Sequence, residues 1–375
     1  MKILIVPSLY ITDIESRAFA KIKSISKSLI TLNYRSFLIN INNNMLCTEH
    51  YNYESIVDVC GFENVYIFGT YNKEYLEDVP MYSRYPSLHN SKKINKISFN
   101  DIVQNIKSFD AIIVGIKTSK KGHLIRELAI KNNVFVALLD YFDHEDMYSS
   151  TDIKKNIFRN LRPHYDFNIF FKHDIPLFFD DEIIRPLSPM PIKIDNYPMI
   201  KKKLFSEKYL DISFSGRSHS HNNNFRNKFS DKLKNIFLNS YFKFIKSYQK
   251  ISTINYCNIL NDTKIAFTPA GKVWDSTRHA ETAVYGCVPL IPIPNCRLTP
   301  GILINNENSI NFDSKDLLNN KNKLNLILDR INSVLSSRSL FEKLSMNWTN
   351  TVLDNLTFFK RSEFIISSIK NKISN

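Results

Sequence analysis

In DSTRHAETAVYGCVPLIP, residues 275–292, an arginine and a glutamate stand three apart at the start of a short helical run. Asp275, Ser276 or Thr277 can cap that helix by accepting a hydrogen bond from its first free N–H groups. The remaining free N–H groups and the helix dipole then make an anion site. Arg278 adds a full positive charge in the same turn, and a diphosphate fits both. Glu281 is not part of a capping box, because the residue three before it is arginine rather than serine or threonine. Two readings of Glu281 remain. One is a surface ion pair with Arg278, worth about a few tenths of a kcal/mol. The other is a carboxylate that accepts hydrogen bonds from the vicinal hydroxyls of a ribose, beside a phosphate held by Arg278. Gly286 ends the helix where a positive φ is required, and CVPLIPI (287–293) continues as a buried strand.

A second polar stretch, DISFSGRSHSHNNN (211–224), follows a run of strand character. Ser215 and Gly216 permit close backbone approach to a ligand. Arg217 can reach a phosphate or lie on the surface. His219 and His221 have no carboxylate partner in sequence and read as a polar loop rather than a metal site. In LLDYFDHEDMY (138–148), Asp140, Asp143, His144, Glu145 and Asp146 crowd the end of another strand. That cluster reads either as a source of a general base or as a solvated acidic turn.

Elements that would position these residues are legible as continuous apolar runs separated by helical spacing. Lys2–Pro7, Ser36–Ile41, 65–69, 109–116, 134–142 and 165–175 read as strands, with helices over Ile14–Leu32, Phe99–Lys107 and His123–Lys131 between some of them. Continuous rather than alternating apolar strands indicate a parallel sheet covered on both faces. Residues 186–208, with several prolines and the run KKK at 201–203, read as a linker. A second series follows: strands at 210–216, 241–247, 264–271, 287–293 and 301–306, and helices at Asn224–Leu238, Thr253–Leu260, Leu317–Leu335, Ser339–Asp354 and Leu356–Ile373. The fold class is therefore α/β, with two Rossmann-like doubly wound parallel-sheet domains facing a cleft. The expected division is an N-terminal domain over 1–190, a linker over 191–209 and a C-terminal domain over 210–350. The last helix, 351–375, packs back on the first domain or, being amphipathic and basic, lies on a membrane surface. In such sheets ligands bind outside the carboxyl ends of the strands, where 215–221, 269–277 and 140–146 all fall.

Composition narrows the classes. At 375 residues the chain exceeds one ordinary domain. Its longest apolar runs are far short of the ~20 residues of a membrane helix, and MKILIVPSLY lacks a signal-peptide cleavage pattern. Five cysteines without a C-x-x-C spacing indicate neither a disulfide framework nor a zinc site, so a reduced, cytoplasmic protein is expected. The net charge of +14 comes from scattered lysines. It suits solubility, an anionic small ligand or an anionic membrane face, and nothing in the chain resembles a dedicated nucleic-acid arm.

The stretch 275–292 resembles the nucleotide-sugar motif of exostosin-like and related glycosyltransferases of the GT-B fold. That motif runs Ser-x-Arg-x-x-Glu, four residues, then Gly-Cys-Val-Pro. Ser276, Arg278, Glu281, Gly286, Cys287, Val288 and Pro289 stand in the matching places. DISFSGR is similar to the first strand and loop of such a C-terminal domain. The resemblance implies transfer of a sugar from a nucleotide-diphosphate sugar to a glycan or lipid-linked acceptor in surface polysaccharide synthesis, with peripheral contact at the inner membrane face. It implies Ser215, Gly216, Arg217, Ser276, Thr277, Arg278 and Glu281 at the donor, the glutamate on the ribose and the arginines on the phosphates. Asp140, Asp143 and His144 are then the candidates for the base that takes the acceptor proton in an inverting transfer. The chain has no Asp-x-Asp triplet, so no metal or other cofactor is expected, and the leaving diphosphate is stabilised by arginine and a helix dipole. No glycine-rich loop follows the first strand, which departs from many GT-B enzymes. A sugar-nucleotide epimerase of the same fold and a basic nucleic-acid-binding protein are the alternatives.

Overall fold

The computed structural model describes residues 1–7, 53–68, 95–115, 118, 120–140, 167–172, 175–176, 182–187, 192, 194, 197–198, 200–217, 223–245, 251–270, 274, 276–294, 296–298, 302–303, 305–315 and 317–374. The chain divides into two compact units. Unit 1 is Met1–Lys172, Asp180–Arg185 and Arg361–Asn375, and unit 2 is His173–Phe179 and Pro186–Lys360.

Unit 1 carries β1 (Ile3–Val6), a helix α1 over 53–60, β2 (Val65–Phe68), β3 (Asn95–Ile97), α2 (Phe99–Asn105) and β4 (Ala111–Gly115). Then come α3 (Lys120–Lys131), β5 (Phe135–Asp140) and β6 (Ile169–Lys172). After β7 (Ile175–Pro176), which belongs to unit 2, β8 (Ile184–Pro186) adds the edge of this sheet. The strand order is 3-2-1-4-5-6-8, and the pairs from β3 to β6 are parallel. Every residue of β1, β4 and β6 is buried, which is why their sequences run apolar without alternation. The order 3-2-1-4-5-6 is that of a doubly wound sheet, with its switch point between β1 and β4. At that point Thr118 Oγ1 donates to Pro7 O (2.9 Å). The edge strand β3 is short and partly exposed, and periodicity does not reveal it. The expected helix 14–32 and strand 36–41 lie outside the described residues.

Unit 2 carries β9 (Leu210–Arg217), α4 (Asn223–Ile236), β10 (Ser240–Ile245), α5 (Thr253–Asn261), β11 (Thr263–Phe267), α6 (Thr277–Val284) and β12 (Val288–Pro292). It continues through β13 (Cys296–Arg297), β14 (Ile310–Phe312), α7 (Lys321–Ser336) and α8 (Arg338–Asn355), and the last helix, α9 (Phe358–Ser374), begins in unit 2 and ends in unit 1. Its main sheet has the order 10-9-11-12-14 and is parallel throughout, while β13 pairs with β7 antiparallel. Here the order reverses between β9 and β11, so the switch point lies at the carboxyl ends of those two strands. The strand expected at 301–306 is corrected: the fifth strand is Ile310–Phe312. Asn305 and Asn306 enter a tight turn, with Asn306 at φ 62° and an isolated bridge from Asn305 to Ser309. Ile310 and Phe312 supply the buried residues instead.

A ring cluster holds unit 2 together beneath its switch point. Phe267 lies 5.7 Å from Phe214, 5.4 Å from Phe229 and 5.9 Å from Phe312. Each such ring, once buried, contributes roughly 1.5–3 kcal/mol. The cluster fixes Phe214, and Phe214 carries the site described below. Arg361–Asn375, the greater part of α9, groups with unit 1, where Phe364 meets Phe171 edge-on at 6.1 Å. Ile365, Ile366 and Ile369 of its apolar stripe are buried.

Candidate functional site

The motif helix α6 begins as its sequence dictates. Ser276 is the N-cap, with extended backbone, and its Oγ accepts from Arg278 N–H (3.3 Å). Gly286 follows the helix at φ 64°, the left-handed turn that glycine makes at little cost. Lys208 closes the same end: its buried ammonium donates to Tyr285 O and to Asn261 O, each at 2.9 Å. Behind the helix, Trp348 Nε1–H donates to Thr282 Oγ1 (2.8 Å) and His279 O (3.1 Å). His279 Nε2–H donates to Trp274 O (2.9 Å).

Glu281 is 1% exposed. Tyr256 Oη donates to its Oε2 (2.8 Å) and Tyr197 Oη donates to its Oε1 (3.2 Å). The surface-pair reading of Glu281 is thereby removed. A carboxylate oxygen has two lone-pair sites, and on each Glu281 oxygen a tyrosine takes one. Burial, then the Cys257 thiol, then the Glu281 charge push the neighbouring Tyr285 phenol well above its ordinary range.

Arg278 turns the other way along the helix mouth. Its guanidinium lies over the Phe214 ring, 5.9 Å from the centroid. A Cβ placed on Gly216 would come within 3.0 Å of Arg278 Nη2 and 2.8 Å of Phe214 Cζ, so glycine at the end of β9 is what admits the arginine. Arg226, in the first turn of α4, lies over the same ring at 5.8 Å. It donates from Nη2 to Ala270 O, just past β11. Burial and the charge of Arg278 pull its pKa down to about 10. Both guanidinium groups thus lie against the Phe214 ring of β9.

No family model matches the sequence, and no curated protein matches it. Among solved structures, the chain is similar to a glycosyltransferase from Rickettsia africae ESF-5, with a TM-score of 0.50 and 11% identity over 100% of this chain and 98% of that one. It is also similar to HepE of Anabaena in complex with UDP, at TM-score 0.49 and 8% identity over 99% of this chain and 100% of that one. An α-glucosyltransferase in complex with UDP aligns at TM-score 0.47 and 12% identity over the full length of both chains. The chain has the GT-B fold.

Within this GT-B fold, Ser215, Gly216, Ser276, Thr277, Arg278 and Glu281 all belong to unit 2, around the carboxyl end of β9 and the start of α6. Ser215 and Gly216 are buried at the strand end, whereas Ser276, Thr277 and Arg278 are half-buried. Arg217 is the last residue of β9, and its side chain lies outside the described residues. Asp140 closes β5 in unit 1, in register with Lys172 of β6, and Lys172 is 2% exposed. The Asp140 side chain, and Asp143, His144, His219 and His221 entirely, lie outside the described residues. Among the described residues no group of three or more His, Cys, Asp or Glu side chains could hold a metal ion, and no helix is long and apolar enough to cross a membrane.

The sequence reading missed three residues of the site. Tyr197 sits in the proline-rich stretch read as a linker, and Tyr256 on α5 was read only for its helical spacing. Nothing local announces either one's bond to Glu281. Arg226 did leave a signal. It stands on the buried stripe of α4 with Phe229 and Leu233, and a cation on an apolar stripe asks for a partner.

Proposed function

We propose that this chain is a glycosyltransferase that takes a sugar from a nucleoside-diphosphate sugar. The donor binds in unit 2 at the carboxyl ends of β9 and β11. Arg278 and the N-terminus of α6 take the diphosphate, with Arg217 a further phosphate contact. Glu281, steadied by Tyr197 and Tyr256, accepts from the ribose hydroxyls. One observation carries the reading: Arg278 and Glu281 divide the mouth of one helix, the cation toward the strand end and the carboxylate into a tyrosine clamp. A surface ion pair would do neither. As the bond from the sugar to the diphosphate breaks, negative charge gathers on the leaving phosphates, and fixed N–H groups and guanidinium stabilise it without reorganising.

The exostosin-like motif favours a glycan or lipid-linked acceptor of surface polysaccharide, with a proton acceptor from Asp140, Asp143 or His144. We place the protein in the cytoplasm. A peripheral membrane contact would fall to the exposed Phe359 and Ile373 of α9. Arginine and helix dipole take the part a metal plays in other transferases.

A thermal-shift screen against UDP-, GDP-, ADP- and CMP-sugars tests the reading, since a ligand that binds only the folded state raises the melting temperature by mass action. One nucleotide class should stabilise the wild type, and Glu281→Ala should abolish most of that shift. An unchanged shift in the variant, or none in the wild type, overturns the assignment.

A further inference from the structure

We infer that the amino-terminal end of the unit 2 sheet is a docking surface for an anionic lipid bilayer, entered by Leu204, Tyr209 and Leu238 and ringed by lysines. The inference shares a membrane contact with the reading above but places it on a surface other than α9, and it needs nothing of the donor site.

The strands of that sheet are all parallel, so their amino ends share one edge. The donor reading uses the opposite edge. Ser240 of β10 stands beside Ile212 of β9, and Thr263 of β11 beside Leu210. The stretches just before these strands, 204–209, 237–239 and Asp262, therefore come together. Backbone bonds tie them: Asp211 N–H donates to Asn239 O (2.7 Å), and Leu210 N–H to Asp262 O (3.0 Å). From this tied base three large side chains with apolar bodies face water. Leu238 is 94% exposed, Tyr209 62% and Leu204 58%. Ile236, at the end of α4, is exposed beside them. An apolar side chain stabilises a fold only when it leaves water, and folding leaves these in it. Neighbouring exposed apolar residues on one surface mark a contact site.

Charge indicates what covers them. Acids at this end are engaged within the chain: Lys203 pairs with Asp262, Lys264 with Asp211 (3.0 Å), and Glu207 Oε2 accepts from Leu204 N–H (2.6 Å). Lys201, Lys202, Lys232 and Lys234 are exposed, with Asp231 the exposed acid on that last stretch of α4. Apolar tips inside a basic rim match an anionic bilayer. The leucines enter the acyl boundary, Tyr209 suits the interfacial layer, and the lysines meet the headgroups. A nucleic acid would use the lysines and leave the leucines in water. A second copy would set like charges against each other. β9 has eight residues, so at about 3.3 Å each the donor end lies roughly 26 Å away. The surface can therefore be altered without touching the donor site.

The test is flotation of the full chain with vesicles of equal parts phosphatidylglycerol and phosphatidylcholine. Wild type should bind these, should not bind phosphatidylcholine alone, and should be released as salt rises toward about 0.5 M. Leu204→Ser/Leu238→Ser should lower partitioning about 30-fold, and so should Lys201→Gln/Lys234→Gln. All four side chains are exposed, so the melting temperature and the shift given by the donor nucleotide should stay as in wild type. Phe359→Ser/Ile373→Ser, on α9, should keep vesicle binding. Wild type that binds no vesicle, or that binds neutral vesicles equally well, overturns the inference. Binding lost in the α9 variant alone also overturns it and leaves the peripheral reading standing. A dimer in analytical ultracentrifugation that Leu204→Ser/Leu238→Ser breaks, without vesicle binding, assigns the surface to a second copy and overturns it too. None of these results touches the donor reading, which the nucleotide screen decides separately.

Discussion

Tyr256 donates its phenolic proton to Glu281 Oε2 at 2.8 Å, from α5 to α6, across 25 residues of chain. The bond leaves the carboxylate little rotational freedom, because Tyr197 holds the other oxygen. If Glu281 grips a ribose, its orientation is set by phenols that need never touch the ligand themselves. Tyr256→Phe removes one hydrogen bond to a charged group, worth about 1.5–3 kcal/mol. Donor-nucleotide affinity should fall about tenfold or more, measured by calorimetry, while α6 stays folded by circular dichroism. Retained affinity would show that Glu281 is positioned by packing alone.

Gly216 permits the approach of Arg278 to Phe214. Gly216→Ala puts a methyl group 2.8 Å from Phe214 Cζ and 3.0 Å from Arg278 Nη2. Both contacts are with side chains, so the ring of Phe214 and the arginine must shift together to admit the methyl group. Diphosphate affinity should drop about tenfold, or about 1.4 kcal/mol, with uridine affinity kept if the nucleotide is uridine. A loss of both in parallel would mean that the strand end itself has shifted.

How much of this was legible follows from range. The buried strands of both sheets are continuous apolar runs, and one window of sequence suffices to see them. Ser276 and Gly286 are equally local, since a cap and a left-handed turn each depend on a few neighbours. The two readings of Glu281 could not be separated in sequence, because i,i+3 spacing serves a surface pair and a buried acid alike. What decides between them, Tyr197 and Tyr256, lies 84 and 25 residues away. Ile310–Phe312 escaped because three residues are too few to show a period, while the longer apolar run before it turns.

Gly286 should matter for stability and not for binding. Its φ of 64° costs an L-residue about 1–2 kcal/mol. The Cβ of Gly286→Ala has room, with Ser345 Oγ at 3.4 Å, so conformational strain is the main penalty. Urea unfolding should show that loss, with nucleotide affinity unchanged. A much larger loss would point to a disturbed Lys208 clamp on Tyr285 O.

Cys287 and Lys208 lie close enough to act on one another, and their pH dependences have opposite signs. Burial raises the Cys287 thiol above its ordinary 9.0, against the smaller lowering effects of Lys208 and Lys202. The folded state therefore favours the protonated thiol, whose Sγ–H donates to Leu260 O (3.0 Å). Below pH 9.0 that preference contributes in full, and it is lost as pH rises past the unfolded thiol's value toward the folded one. Burial lowers Lys208 below its ordinary 10.5, so the penalty for holding its charge is relieved as pH climbs toward that value. In the wild type the two trends oppose each other. Cys287→Ala removes only the first. Its unfolding free energy, measured in urea from pH 8 to 10.5, should gain on the wild type as pH rises above 9.0, by at most about 1.4 kcal/mol per pH unit. Parallel curves would show that the thiol ionises as readily in the folded chain as in the unfolded one.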